Sequence, residues 1–311
     1  MLMPTIITRI ISSSRSALPK AGKTIWWLLK IILPISFLVS LMNYLGVIAL
    51  IATYLSPVFS VIGLPGESAI VFISSLFLTL YAPIAIMATL ALDMREITIL
   101  ALMCLISHNM FVETAIQKKT GSSAVVMFTL RLFTSFLAAF ILNKLLPEHI
   151  GVNSISEKAI VFDSFTAMVL AWMKGSAWLI LKITLIVSGL LMLQNILKEF
   201  KIIDLIAKPF APVMKIMGLS SNTSFLWFIA QIVGLTYGSV VMIEEVQHGD
   251  IQPADADLLN YHIAINHSLL EDTLLFVAIG VPAVWITFPR IFLAILAVWT
   301  VRLVRNVRKS N

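Results

Sequence analysis

Cysteine is nearly absent: the chain has one, Cys104, so it can form no internal disulfide. Charge is scarce as well. Only 12% of the 311 residues are charged, against about 25% in soluble domains. The apolar fraction is 59%, where soluble proteins run at about 45–50%. A soluble domain of this size could not cover its surface with so few charges. That excludes a soluble enzyme, a nucleic-acid-binding protein and a disordered chain. No His-Glu-x-x-His and no Gly-x-Ser-x-Gly motif occurs, so an intramembrane enzyme is not expected either. The net charge of +6 comes from basic residues crowded at the termini and short connections, the bias of a membrane protein's cytoplasmic segments.

What the sequence does hold is long uncharged runs. Residues 31–66, 68–92 and 216–243 carry no charged side chain, and a bilayer core needs about 20 apolar residues per helix. Eight spans follow, at 25–45, 67–92, 97–117, 123–146, 176–197, 222–246, 257–279 and 283–304. The expected fold is therefore an all-α polytopic membrane protein. Arg9, Arg15, Lys20 and Lys23 at one terminus, and Arg302, Arg305, Arg308 and Lys309 at the other, place both ends in the cytoplasm of a prokaryotic-type inner membrane. Residues 198–217 alternate lysines with apolar residues at helical spacing. They read as an in-plane interfacial helix ended by Pro209 and Pro212.

The chain also matches itself. Residues 57–64 (PVFSVIGL) align with 212–219 (PVMKIMGL) at a separation of 155. His108, Glu113, Thr114, Gly121, Arg131 and Phe133 align with His267, Asp272, Thr273, Gly280, Arg290 and Phe292, each 159 residues on. Polar positions in one register are hard to obtain by accident. The expected organisation is a basic amphipathic lead-in (1–24), repeat 1 (25–146), a connector (147–175), repeat 2 (176–304) and a basic tail (305–311). Charge-free 46–63 against lysine-rich 198–217 favours inverted repeats, with 159–173 as an extra partial crossing.

Two places in each repeat carry chemistry. Gly63, Pro65, Gly66, Glu67 and Ser68 interrupt an apolar run, and Ser221 and Asn222 stand at the equivalent point of repeat 2. Irregular backbone at membrane depth lines a cavity or is buried in protein. These tips are read as facing one site, with ordinary capped interfacial turns as the alternative. The densest polar clusters inside spans are His108, Asn109 and Glu113, and His267, Glu271 and Asp272. His108 and Glu113 are five apart, which puts them on different faces of a regular helix, whereas His267 and Glu271, four apart, share one. Such groups either satisfy neighbours within their own repeat, bind a solute or cation, or relay protons. His108, His267 and Glu271 are the candidate ligands of a divalent cation; no other cofactor is expected. Arg131 and Arg290 need carboxylate partners, so Glu113–Arg131 and Asp272–Arg290 are expected as structural ion pairs.

The tip Gly63-Leu64-Pro65-Gly66-Glu67-Ser68-Ala69, the broken helices and the eight-span repeat resemble the nucleoside-recognition or Gate family. That family includes gate regions of nucleoside transporters, the membrane part of a ferrous-iron transporter and spore-maturation membrane proteins. The resemblance implies a transporter or permease moving a small polar solute or ion through a midplane site between the repeats. The alternatives it implies are a non-transporting membrane scaffold, as in the spore-maturation members, and a divalent-metal transporter. The substrate-binding candidates are Gly63, Gly66, Glu67, Ser68, Ser221, Asn222, His108, Asn109, Glu113, His267, Glu271 and Asp272. Candidate partners are membrane lipid, the solute or ion, and a second copy of the chain as a homodimer; nucleic acid is not among them.

Overall fold

The computed structural model describes residues 6–148, 150 and 163–310, and among these every regular element is a helix. The first half comprises α1 (Ile6–Tyr44), α2 (Val47–Ser60), α3 (Ser68–Phe77), α4 (Tyr81–Met87), α5 (Met94–Ser107), α6 (Met110–Lys119) and α7 (Ala124–Leu145). The second comprises α8 (Phe165–Glu199), α9 (Ile202–Ile216), a 3₁₀ turn at Ser221–Thr223, α10 (Ser224–Ile232), α11 (Leu235–His248), α12 (Pro253–Ile265), α13 (Glu271–Val277) and α14 (Ala283–Ser310). Among the described residues, five stretches are long and apolar enough to cross a membrane: 6–44, 94–119, 124–145, 165–199 and 283–307.

Several expected boundaries move. The lead-in is not a separate surface helix: its described part, from Ile6, is continuous with the first span in α1. Ala17, Ala21, Leu28 and Ile32 bury at helical spacing, so one apolar stripe runs through both segments and keeps them in register. The partner of that stripe is α8, which lies antiparallel to α1. Arg9 meets Glu199 at 2.9 Å, Asn195 donates to Ser16 Oγ (3.2 Å), Trp172 donates to Ser36 Oγ (3.0 Å), and the Tyr44 ring packs against Phe165. The described end of the expected connector, from Phe165, belongs to α8; residues 159–162 of the expected partial crossing lie outside the described residues.

Pro209 and Pro212 do not end the interfacial helix either. They sit inside α9. The carbonyls they leave without amide partners belong to Leu205 and Lys208, both on the exposed face. Water or headgroups can satisfy these, while Ile203, Ala207 and Met214 hold the other face in place. The expected spans 67–92, 97–117, 222–246 and 257–279 are each two shorter helices with a break between them.

α5 is the centre of the fold. It opens with a reciprocal cap, Asp93 Oδ1 accepting from Glu96 N–H and Glu96 Oε2 from Asp93 N–H, both at 2.8 Å. From Thr98 to Ser107 every side chain is buried. A helix apolar all round can be buried all round.

The contacts at the helix ends fix the course of the chain. Arg95 donates to the Asn143 carbonyl (2.6 Å) and Oδ1 (2.7 Å), tying the start of α5 to the end of α7. Met94 packs against Gly280, just before α14, so α14 starts at that end too. At the other end Asn260 donates to Thr120 Oγ1 (2.8 Å) and Ser122 Oγ (2.9 Å). Ser122 and Arg305 both bind Asp257. The start of α12, the start of α7 and the end of α14 therefore share this second end. α5 and α12 enter from opposite ends of the bundle, and both stop in its interior.

Candidate functional site

The two interior stops are where the histidines lie. α5 ends at Ser107; His108 is extended (ψ 155°) and Asn109 is left-handed (φ 48°) before α6 begins. α12 ends at Ile265, and Ser268 is left-handed (φ 46°) before α13. Each left-handed residue has its N–H captured by a neighbouring helix end. Asn109 donates to the Ser75 and Leu78 carbonyls (2.8 and 3.0 Å), Ser268 to the Ala230 carbonyl (2.9 Å). Neither break is at a glycine or proline, the usual cause of helix interruption, so sequence reasoning had no signal for it beyond the polar clusters themselves.

The break overturns the face argument. In a continuous helix His108 and Glu113 would point apart. Here the chain turns after His108, and His108 Nε2 lies 3.4 Å from Glu113 Oε1. His267 Nε2 lies 3.3 Å from Glu113 Oε2 and 3.4 Å from His108 Nε2. Asp272 Oδ2 approaches His108 Nε2 at 3.6 Å. These four side chains are all buried. His108, Glu113 and His267 each offer one donor atom, and the three lie within 4.8 Å of one another. Glu271, expected to share a face with His267, does not join them. The helix is broken between the two residues, so four-residue spacing no longer aligns them. Glu271 instead accepts from Tyr81 and Gln194, both at 3.4 Å.

The two rings are held alike. His108 Nδ1 lies 3.1 Å from the Cys104 carbonyl and His267 Nδ1 lies 2.8 Å from the Ile263 carbonyl. A carbonyl only accepts, so each Nδ1 carries the hydrogen and each neutral ring presents an Nε2 lone pair to the centre.

Both arginines are fully buried beside the breaks. Arg131 donates to the Ile106 carbonyl through Nε (2.8 Å) and to the His108 carbonyl through Nη2 (2.7 Å). It thus covers backbone acceptors that the end of α5 leaves without amide partners. Its Nη2 is also 2.8 Å from Glu113 Oε2, an ion pair. Arg290 forms no such pair with Asp272. Its Nε folds back onto the Ile286 carbonyl (2.9 Å), and its Nη2 donates to Thr273 Oγ1 (2.7 Å). Asp272 Oδ2 is left without a hydrogen bond.

The tips do not gather at this site. Gly63 is left-handed (φ 74°) and abuts Asn143, the residue that Arg95 binds. From Arg95 to His108 is about 20 Å of helix. Gly66 packs on the Ala52 carbonyl, Glu67 is half-buried, and Ser68 is buried. Gly218, just before the second tip, receives a hydrogen bond from Arg302 at the far end of α14 (2.9 Å). Ser221 binds the Ala211 carbonyl (3.2 Å), and Asn222 is exposed. The tips therefore sit at opposite ends of α14, about 30 Å apart by its rise. They are turns at the two ends of the bundle, and the expectation of one cavity shared with the histidines is corrected.

Residues 25–123, which include His108 and Glu113, match the family model described as Gate, nucleoside recognition. An uncharacterized membrane protein of Bacillus subtilis (strain 168), YvoD, is 29% identical over 266 residues, 85% of each chain. No solved structure matches. The chain is a helical membrane protein, and its residues 25–123 are similar to the Gate, nucleoside-recognition, family.

Proposed function

We propose that the protein is a permease that passes a small ion or polar solute through a midplane site between two inverted repeats. The observation that carries this reading is the meeting of two broken helices, one from each half, at His108 and His267, 3.4 Å apart and buried. Broken helices meeting at membrane depth are how many secondary transporters build their sites.

Support for the repeat comes from contacts that recur in register. Asn109 N–H to the Ser75 carbonyl returns as Ser268 N–H to the Ala230 carbonyl, and Leu64 N–H to Phe59 returns as Leu219 N–H to Met214. Gly121 and Gly280 share a left-handed φ (102° and 101°). Support for inversion comes from direction. α5 and α12 enter from opposite ends, and α7 and α14 run oppositely, which supports an axis in the membrane plane. The end holding Arg302, Arg305, Lys215 and Arg9 is the richer in basic residues, which favours a cytoplasmic position for it and for both termini.

In this reading the site is exposed to each side in turn as one repeat rocks against the other. The protein is not an enzyme in this reading. The test is uptake by purified protein in liposomes, across nucleosides and divalent metal ions. Saturable uptake that His108→Ala and His267→Ala each abolish is the expected result. Folded protein that moves none of these solutes would retire the permease and leave the scaffold reading in its place.

A further inference from the structure

We propose that His108, His267 and Glu113 ligate a single divalent transition-metal ion, with Asp272 beside them as a further oxygen ligand. The inference takes the midplane site of the permease reading as given and names the chemical class of its ligand.

The first argument is the surplus of acceptors. With each Nδ1 donating to a backbone carbonyl, both Nε2 atoms present lone pairs, and they face each other at 3.4 Å. Glu113 lies 3.3 and 3.4 Å from them, and Asp272 Oδ2, buried and without a hydrogen bond, lies 3.6 Å from His108. Lone pairs so placed repel one another unless a cation sits among them.

The second argument is spacing. An ordinary hydrogen bond to nitrogen is about 2.7–3.2 Å long. All three contacts among His108, His267 and Glu113 are longer than that. A tetrahedral ion with nitrogen and oxygen ligands at about 2.0–2.1 Å sets neighbouring donor atoms about 3.3–3.4 Å apart. The edges of 3.3 and 3.4 Å match that spacing.

The third argument is ligand type. Two imidazoles and a carboxylate suit zinc, iron, cobalt or nickel, whereas sodium, magnesium and calcium call for oxygen ligands throughout. Each ring is oriented through its other nitrogen by a backbone carbonyl, the usual support of a metal-bound histidine.

The experiment uses the full-length protein, purified in detergent and stripped of metal, titrated with Co²⁺ and followed by visible absorption and metal content. The wild type should bind one ion per chain with the intense visible bands of four-coordinate cobalt. His108→Gln and His267→Gln should each weaken binding at least tenfold, while His248→Gln, on the surface, leaves it unchanged. Folded wild type that binds no Co²⁺ or Zn²⁺, or variants that bind as well as wild type, would overturn the proposal. Because wild type is itself an arm, a variant that fails to fold does not rescue the idea. Stoichiometric binding without metal flux in liposomes supports the metal site and removes only the permease reading.

Discussion

His108 and His267 face each other across the centre of the bundle with their Nε2 atoms 3.4 Å apart, although they are 159 residues apart in sequence. Each stands at the interior end of a helix that entered from the opposite side, α5 for one and α12 for the other. Each is followed by a left-handed residue, Asn109 or Ser268, at which the chain turns. The site is thus a product of two local interruptions and of the packing that brings their ends together.

The two arginines should behave differently when removed. Arg131→Met leaves Glu113 without its cation at low dielectric, and breaking such a pair costs about 3–5 kcal/mol. Arg290→Met breaks hydrogen bonds to Thr273 and to backbone carbonyls, and removes an attraction to Asp272 that acts beyond ion-pair distance. A double-mutant cycle of Glu113→Gln with Arg131→Met, read from thermal unfolding in detergent, should show a coupling of about 0.5–3 kcal/mol. The cycle of Asp272→Asn with Arg290→Met should show less. Equal couplings would mean that the two halves of the chain use their arginines alike.

Side of access tests the inversion. Cys104 is buried and is the sole cysteine, so Cys104→Ser gives a background free of thiols. Single cysteines placed by Glu67→Cys and Asn222→Cys report on the two tips. An impermeant thiol reagent should label position 67 in intact cells and position 222 only in inside-out vesicles. Labelling of both from one side would remove the inverted arrangement.

Glycine substitutions separate the tight turns from the open ones. A Cβ at Gly66 would sit 2.2 Å from the Ala52 carbonyl oxygen, a backbone atom that cannot swing away. Gly66→Ala should therefore destabilise by about 1–3 kcal/mol. Gly22 is inside α1 with nothing near its Cβ. Gly22→Ala should stabilise by about 0.5–1 kcal/mol, from the higher helix propensity of alanine. Melting temperatures of the two variants, moving in opposite directions around wild type, check both.

Much of this was legible in the sequence and some was not, for definite reasons. Composition and hydropathy marked a helical membrane chain, because they are local properties, but the charge-free runs 31–66, 68–92 and 216–243 fall on the end of α1 and on the short helices α2, α3, α4, α10 and α11. The register of His108 with His267 was visible because polar residues in an apolar chain are rare enough to align. The helix breaks at Asn109 and Ser268 were not visible, since nothing in either residue type requires one. They depend on acceptors supplied by Ser75, Leu78 and Ala230, residues distant in sequence. At Gly63–Ser68 glycine and proline do mark a turn, but at the end of the bundle and not at its centre. Helical spacing does not hold across a break, which is why Glu271 leaves the cluster and Glu113 enters it.

Those left-handed residues give the last prediction. Ser268 holds φ at 46° and Asn109 at 48°. Asparagine visits this region at modest cost, whereas other side chains give up about 1–2 kcal/mol there. Glycine gives up nearly nothing. Ser268→Gly should therefore relieve strain and raise the melting temperature, while Asn109→Gly should change it little. Valine, branched at Cβ, should lower it at either position. If the break exists to aim the rings, Ser268→Val should also weaken Co²⁺ binding although residue 268 is not a proposed ligand, and Ser268→Gly should retain it. Unfolding curves and cobalt titrations on the same four variants decide the matter. Valine variants as stable and as metal-competent as wild type would mean that the backbone does not need the left-handed turn at either histidine.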